Sequence, residues 1–239
     1  RIDSLKESKP QTQQQSRRMK IDFPVKQRSG HLVVRTEHLY KSYGPKEIFS
    51  DISFEIDRGE RLVIVGLNGV GKTTLMRSLI NLVSINSGNI ILGDNVEYGY
   101  YAQENEGLDY TNTVLNEANE LLPTDAKRVR SILGRFMFAG DRVFQQIETL
   151  SGGEKTRLAL AKMVLSGPNL LLLDEPTSHL DIISKEIIGE ALGNYPGTII
   201  TVTHDVDFVR LLKPSMLLLM PEGRLVPYDN KYDALLERA

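Results

Sequence analysis

At 239 residues, 41% hydrophobic and 25% charged, the chain has the length of one large domain or two small ones and an ordinary globular composition. It contains no cysteine, which excludes disulfide scaffolds, thiol catalysis and thiolate metal sites and favours a reducing, cytoplasmic setting. The net charge of −2 hides an asymmetry, because residues 1–28 hold eight Lys or Arg against three Asp or Glu while the remainder holds 21 against 28.

That basic stretch, with its Gln-rich run Gln11 to Gln15 and few apolar residues, reads as an extended or helical linker, with contact to nucleic acid as the sharper alternative. The chain starts at Arg1 without an apolar signal region, so a preceding segment is expected. From Leu32 onward short apolar runs predict strands at Leu32–Val34, Ile52–Ile56 and Leu62–Val65, with Asp57-Arg58-Gly59-Glu60 as a turn. A helix follows Gly71. Next comes a hairpin-like pair, Ile90–Leu92 and Val96–Tyr101, bridged by Gly93-Asp94-Asn95. Thr111 to Met137 shows apolar residues at three-to-four spacing and predicts a helical insert. Thereafter helix Gly153–Leu165, strand Leu170–Leu173, helix Ile183–Leu192, strand Thr198–Val202, a short helix and strand Met216–Leu219 alternate. Such alternation predicts an α/β fold with a mainly parallel sheet covered on both faces. No apolar run approaches the roughly 18 residues that cross a bilayer, and the four histidines lack metal-ligand spacing, so neither an integral membrane segment nor a dedicated transition-metal site is expected.

Three motifs carry chemistry. Gly66-Leu67-Asn68-Gly69-Val70-Gly71-Lys72-Thr73 fits G-x-x-x-x-G-K-[ST] between a strand and a helix, the context that phosphate binding requires. There the glycines let backbone N–H groups curl around phosphate oxygens, the helix N-terminus adds its positive end, Lys72 reaches the β- and γ-phosphates and the Thr73 hydroxyl holds Mg²⁺. Leu170-Leu171-Leu172-Leu173-Asp174-Glu175 is a buried strand ending in two acids at the carboxyl edge of the sheet, where ligands bind. Asp174 suits Mg²⁺ and Glu175 suits an attacking water. Ser151 with Glu154 three residues later forms a capping box, but a cap does not ask for Gly152 and Gly153. Bare backbone that approaches a phosphate does.

In order, the phosphate loop, Gln103 after a strand, Ser151-Gly152-Gly153, Asp174-Glu175 and the post-strand His204 resemble the motifs of ABC ATPases over nearly all of residues 31–239. The resemblance implies a P-loop, RecA-like core with an antiparallel β subdomain and a helical subdomain at about 104–155, within a cassette spanning 29–239. It implies that two cassettes pair head to tail, each ATP lying between one cassette's phosphate loop and the other's Ser-Gly-Gly segment. Carried over by position, ATP is bound by Tyr43, Gly66, Asn68, Gly69, Val70, Gly71, Lys72, Thr73 and Thr74 on one side and by Ser151, Gly152 and Gly153 on the other. Tyr43 stacks on adenine, where a plain reading would leave it an ordinary turn tyrosine. Thr73, Gln103 and Asp174 hold Mg²⁺; Glu175, His204, Gln103 and Lys72 are catalytic; Asp181 crosses the interface.

Within the family, Glu154-Lys155-Thr156-Arg157, the sequence Glu175-Pro176-Thr177-Ser178-His179-Leu180-Asp181, the stretch Leu133 to Asp141 and the ending Gly223 to Tyr232 resemble ABC-F proteins. Ser178, where that group often has Asn, and Val206, where Arg is common, depart from it. An ABC-F assignment implies the C-terminal cassette of a twin-cassette protein, paired naturally with its N-terminal half or, as a substitute, with a second copy. It also makes residues 1–28 the end of the interdomain linker and the ribosome and tRNA the partners, in translation or antibiotic resistance. The alternative is the ATPase subunit of a membrane ABC transporter. A chromosome-maintenance or repair ATPase is disfavoured by the short Gln103 to Ser151 segment, and a dead cassette by the presence of Lys72, Asp174, Glu175 and His204.

Overall fold

The computed structural model describes residue 23 and residues 25–102, 107–123, 125–178 and 180–236. Gln103, His179 and residues 1–22 of the basic stretch lie outside them. In chain order the strands are β1 (Leu32–Tyr43), β2 (Lys46–Asp57), β3 (Arg61–Val65), β4 (Ser87–Leu92), β5 (Tyr98–Tyr101), β6 (Leu170–Asp174), β7 (Thr198–Val202), β8 (Met216–Leu219) and β9 (Arg224–Pro227). The helices are α1 (Lys72–Leu79), α2 (Val114–Asn119), α3 (Ala126–Arg135), α4 (Gly152–Leu165), α5 (Ile182–Gly193), α6 (Val206–Leu212) and α7 (Asp233–Leu236).

Two sheets organise the molecule: an antiparallel one in the order β2-β1-β4, and a six-stranded one in the order β5-β6-β7-β3-β8-β9, parallel except for β9. The fold is therefore α/β with a mostly parallel sheet beside an antiparallel one, as the sequence predicts. Strands β3, β6 and β7 are mostly apolar and almost wholly buried because both of their faces are covered. Val63, Val65, Leu171 and Leu173 point into a core shared with α4, α5 and α6. Their neighbours Leu62, Ile64, Leu170 and Leu172 point into a second core made with α1, β1 and β2. The period-2 alternation thus gives each of these strands one face in either core. Phe23, from the end of the basic stretch, is buried in the first core with its ring edge-on to Tyr195 at 5.6 Å.

Two local expectations change. Ile90–Leu92 and Val96–Tyr101 do not pair with each other: β4 joins β1, and β5 joins β6 in the other sheet. The bridging residues bond elsewhere, since Gly30 N–H donates to the Asp94 carbonyl at 2.8 Å, Gly93 N–H to that of Val33 at 3.0 Å, and the Asn169 amide to that of Asn95 at 2.7 Å. A Cβ on Gly93 would lie 1.9 Å from the Leu32 carbonyl oxygen, so this glycine marks a crossing of chains. The helical stretch from Thr111 to Met137 is split into α2 and α3. Thr113 caps the first and Asp125 the second, each accepting a backbone N–H at its own N-terminus. Among the described residues, no helix is long and apolar enough to cross a membrane.

Candidate active site

The loop from Gly66 to Gly71 joins β3 to α1 at the carboxyl edge of the parallel sheet. Gly71 is the N-cap of α1 with φ 98°, and a Cβ there would sit 2.5 Å from Ile48 Cγ2, so glycine is required both by conformation and by space. Helices α2 to α6 each begin with a side chain that accepts a backbone N–H: Thr113, Asp125, Ser151, Asp181 and Asp205. Helix α1 has no side-chain cap and no acid in its first turn. Its unpaired N–H groups and the positive end of its dipole are left for an anion. Lys72 lies beneath the loop, its Nζ donating to the carbonyls of Gly66 at 2.5 Å and Leu67 at 3.2 Å. Burial lowers its pKa, and the carboxylates of Glu175 and Asp174 oppose that shift.

Opposite the loop stand the two acids that end β6. Thr73 Oγ1 donates to Asp174 Oδ1 at 3.1 Å across the cleft. Burial raises the Asp174 pKa, and the bond from Thr73 and the charges of Arg77 and Lys72 partly offset it. Glu175 Oε1 lies 3.2 Å from His204 Nδ1, on the segment after β7. Its Oε2 is buried and also lies 3.2 Å from the same nitrogen, but outside hydrogen-bond geometry. Burial raises its pKa too, against the lowering influence of His204. Both carboxyls thus border a cleft of about 290 Å³ that Asn68, Gly69, Gly71, Lys72, Thr73 and Thr74 line from the loop side. The Thr73 hydroxyl and Asp174 carboxylate are adjacent hard oxygen donors, which fits Mg²⁺ arriving with phosphate oxygens and water for its remaining positions. Among the described residues no cluster of three His, Cys, Asp or Glu offers a metal site built from protein alone.

The remaining predicted residues fall in two places. Tyr43, half-exposed, ends β1 opposite Lys46 and is not among the residues lining the cleft, whereas Ile48, two residues further along β2, is. Val70 packs at the edge of the second core. The Ser151-Gly152-Gly153 segment is absent from the cleft lining. Instead it opens α4 with a complete capping box: Ser151 Oγ accepts from Glu154 N at 3.3 Å, and Glu154 Oε2 from Ser151 N at 2.9 Å. A Cβ on Gly153 would lie 3.5 Å from Asp181 Oδ2, so the segment shares its surface with Asp181. Asp181 in turn accepts from Ser184 N at 2.9 Å and from Ser184 Oγ at 2.6 Å. Sequence reasoning missed Ile48, which no motif marks, and Lys41, whose ammonium lies 4.5 Å over the Tyr43 ring. The two-residue spacing of Lys41 and Tyr43 on one strand was the available signal.

A protein-family profile described as ABC transporter matches residues 49–178. The Bacillus subtilis protein YdiF is 41% identical over 218 residues, 90% of this chain and 34% of that protein. ABC transporter F family member 2 of Arabidopsis thaliana is 38% identical over 230 residues, 94% of this chain and 33% of that protein. The chain thus spans about a third of the length of these curated relatives. Among solved structures, cbiO1 of Clostridium perfringens, part of the ABC transporter complex cbiONQ, matches with a TM-score of 0.70 and 27% identity over 87% of this chain and 92% of that chain.

Proposed function

The chain belongs to the ABC transporter family and is an ATPase domain of that family, and from this premise we propose that its cleft binds Mg-ATP and hydrolyses it when a second cassette closes over the nucleotide. The observation that carries the reading is the Thr73–Asp174 bond at 3.1 Å facing the His204-paired Glu175 carboxyl across a cleft beside an uncapped helix N-terminus. Backbone N–H groups of residues 69–73 and Lys72 hold the phosphates, and Lys72 exchanges its loop carbonyls for phosphate oxygens. Thr73 and Asp174 would hold Mg²⁺, which supplies charge neutralisation between the β- and γ-phosphates. The Glu175 carboxylate accepts a proton from the attacking water, and His204 stands beside that carboxylate. Tyr43 stacks on adenine, and the Ser151-Gly152-Gly153 segment of the facing cassette completes the phosphate shell.

Glu175→Gln should keep ATP affinity and lose turnover by about 10²- to 10⁴-fold, while Lys72→Ala should weaken nucleotide binding itself. Equilibrium binding and phosphate release measured on both variants check this. Normal turnover in Glu175→Gln would remove that residue from the base role.

For the full-length protein we propose action on the ribosome. Support comes from the F-family relative and from the ABC-F-like segments Glu154 to Arg157 and Gly223 to Tyr232. The basic character of residues 1–28, which suits a polyanionic partner, agrees with it. Co-sedimentation of the full-length Glu175→Gln protein, with its counterpart substitution in the other cassette, should show ATP-dependent pelleting with ribosomes at moderate salt. Absence of pelleting together with co-purification of a membrane protein would favour a transporter subunit.

A further inference from the structure

We infer that Lys41 is a positioning residue for nucleobase recognition, holding one face of the Tyr43 ring so that only the other is presented to the base. The inference rests on the reading of Tyr43 as the adenine-stacking residue and names what orients it. Lys41 is only 6% exposed, an unusual burial for a lysine, and no carboxylate pairs with it among the described residues. Its Nζ has two partners: it donates to the Ser84 carbonyl at 2.6 Å and lies over the Tyr43 ring, 4.5 Å from the centroid. A buried ammonium without an anion is costly, and the negative face of an aromatic ring offsets part of that cost. The same contact removes the ring's rotational freedom and covers one of its faces.

The surroundings fix Lys41 in turn. Ser42 N–H donates to Asn86 Oδ1 at 2.8 Å, and Asn86 N–H to the Tyr40 carbonyl at 2.9 Å. These bonds sew the end of β1 to the segment that follows α1, the helix that starts at the phosphate loop. The ring's position is therefore referenced to the same element that holds the phosphates. The cation also draws π density toward its own side, which makes the opposite face a better partner for an electron-rich purine.

The test measures dissociation constants of Mg-ATP, Mg-CTP and inorganic tripolyphosphate for Lys41→Met, Lys41→Gln, Lys41→Arg, Tyr43→Ala and Lys41→Met/Tyr43→Ala. Lys41→Gln keeps a donor for Ser84 but not the charge, and tripolyphosphate, which has no base, reports an intact phosphate loop in every variant. Lys41→Met and Lys41→Gln should weaken ATP by about three- to tenfold, CTP by less and tripolyphosphate not at all, with Lys41→Arg near the parent. Steady-state KM should rise at unchanged kcat, and Lys41→Met should add nothing to Tyr43→Ala. Equal weakening of tripolyphosphate, persistence of the loss in the Tyr43→Ala background, or no loss where Tyr43→Ala shows one would each overturn the role of Lys41. Unchanged ATP binding in Tyr43→Ala would instead overturn the stacking reading, and this inference with it.

Discussion

Glu175 combines two unfavourable features at one position: a backbone φ of 49°, in the left-handed region that non-glycine residues avoid, and a buried carboxyl whose Oε2 makes no hydrogen bond among the described residues. A residue in such a conformation costs on the order of 1–3 kcal/mol and persists where the surroundings enforce it. Here its N–H is held by the Val202 carbonyl at 2.9 Å, which carries the chain out of β6 toward β7 and turns the side chain into the cleft. Burial raises the carboxyl pKa in the folded state above its unfolded value of about 4.3. A group shifted this way favours folding fully only below the unfolded value, and that contribution is lost as pH rises through the folded one. Glu175→Gln should therefore melt above the parent at pH 7 to 8, with the gap closing as pH falls toward about 4. Calorimetric melting across that range checks it; a gap that does not widen with pH would remove the buried charge as its cause, since the backbone strain is common to Glu and Gln. The acids themselves are legible, because four leucines followed by Asp-Glu are a buried strand reaching a sheet edge. The left-handed turn is not, since it depends on the neighbouring strand.

Helix α4 shows how one element serves stability and chemistry with different residues. Its capping box satisfies the N-terminal N–H groups, and Glu154 is further paired with Arg142. Burial pushes the Glu154 pKa up, but the bonds from Ser151 and the charges of Arg142 and Arg157 outweigh it and hold the carboxyl below its usual range. Ser151→Ala should thus lower stability by about 1 kcal/mol, the ordinary value of an N-cap. Gly152 behaves differently. A Cβ there meets nothing within 4 Å and the residue is already helical, so Gly152→Ala should fold at least as stably as the parent. If bare backbone at this point contacts a phosphate of the facing cassette, the same methyl group should abolish most ATPase activity. Melting and turnover measured on the same samples separate the two roles; full activity in Gly152→Ala would leave its segment a cap and nothing more. The capping box was readable from Ser151 and Glu154, as were β6 from its run of leucines and β7 from its short β-branched run Thr198 to Val202. Strands β1 and β2 were only partly readable, because the four register shifts between them break the alternation that marks a half-buried strand. The separation of β4 from β5 was unreadable for a different reason: Gly93-Asp94-Asn95 has turn chemistry, but its bonds go to Gly30, Val33 and Asn169, far off in sequence.

At the scale of the whole molecule, the two halves of the proposed site lie on different surfaces: the cleft lining holds the phosphate loop, Asp174 and Glu175, while Ser151 to Gly153 share a face with Asp181. The residues that follow Asp181 support an interface there, since Ile182 is 83% exposed and Ile183 66%, apolar side chains at the start of a helix left open among the described residues. Under the proposed head-to-tail pairing each site would take one chain's loop and the other's Ser-Gly-Gly segment, and this has a consequence that no single-chain mechanism shares. Lys72→Ala destroys the loop side of a chain and Gly152→Ala the segment side, so each variant alone is inactive in both sites of its own pair. In a mixed pair the two lesions fall in the same site and the other site is wholly intact. Equimolar mixing should then restore about a quarter of the parent ATPase activity, half of the pairs being mixed and half of their sites intact. Specific activity of the parent should also rise with protein concentration until pairing saturates, and Ile182→Asp should shift that rise to higher concentration. A mixture no more active than its components, with activity per molecule flat across concentration, would mean that one chain closes its own site, and the separation of Gly152 from the cleft would then have to be bridged by movement within the cassette.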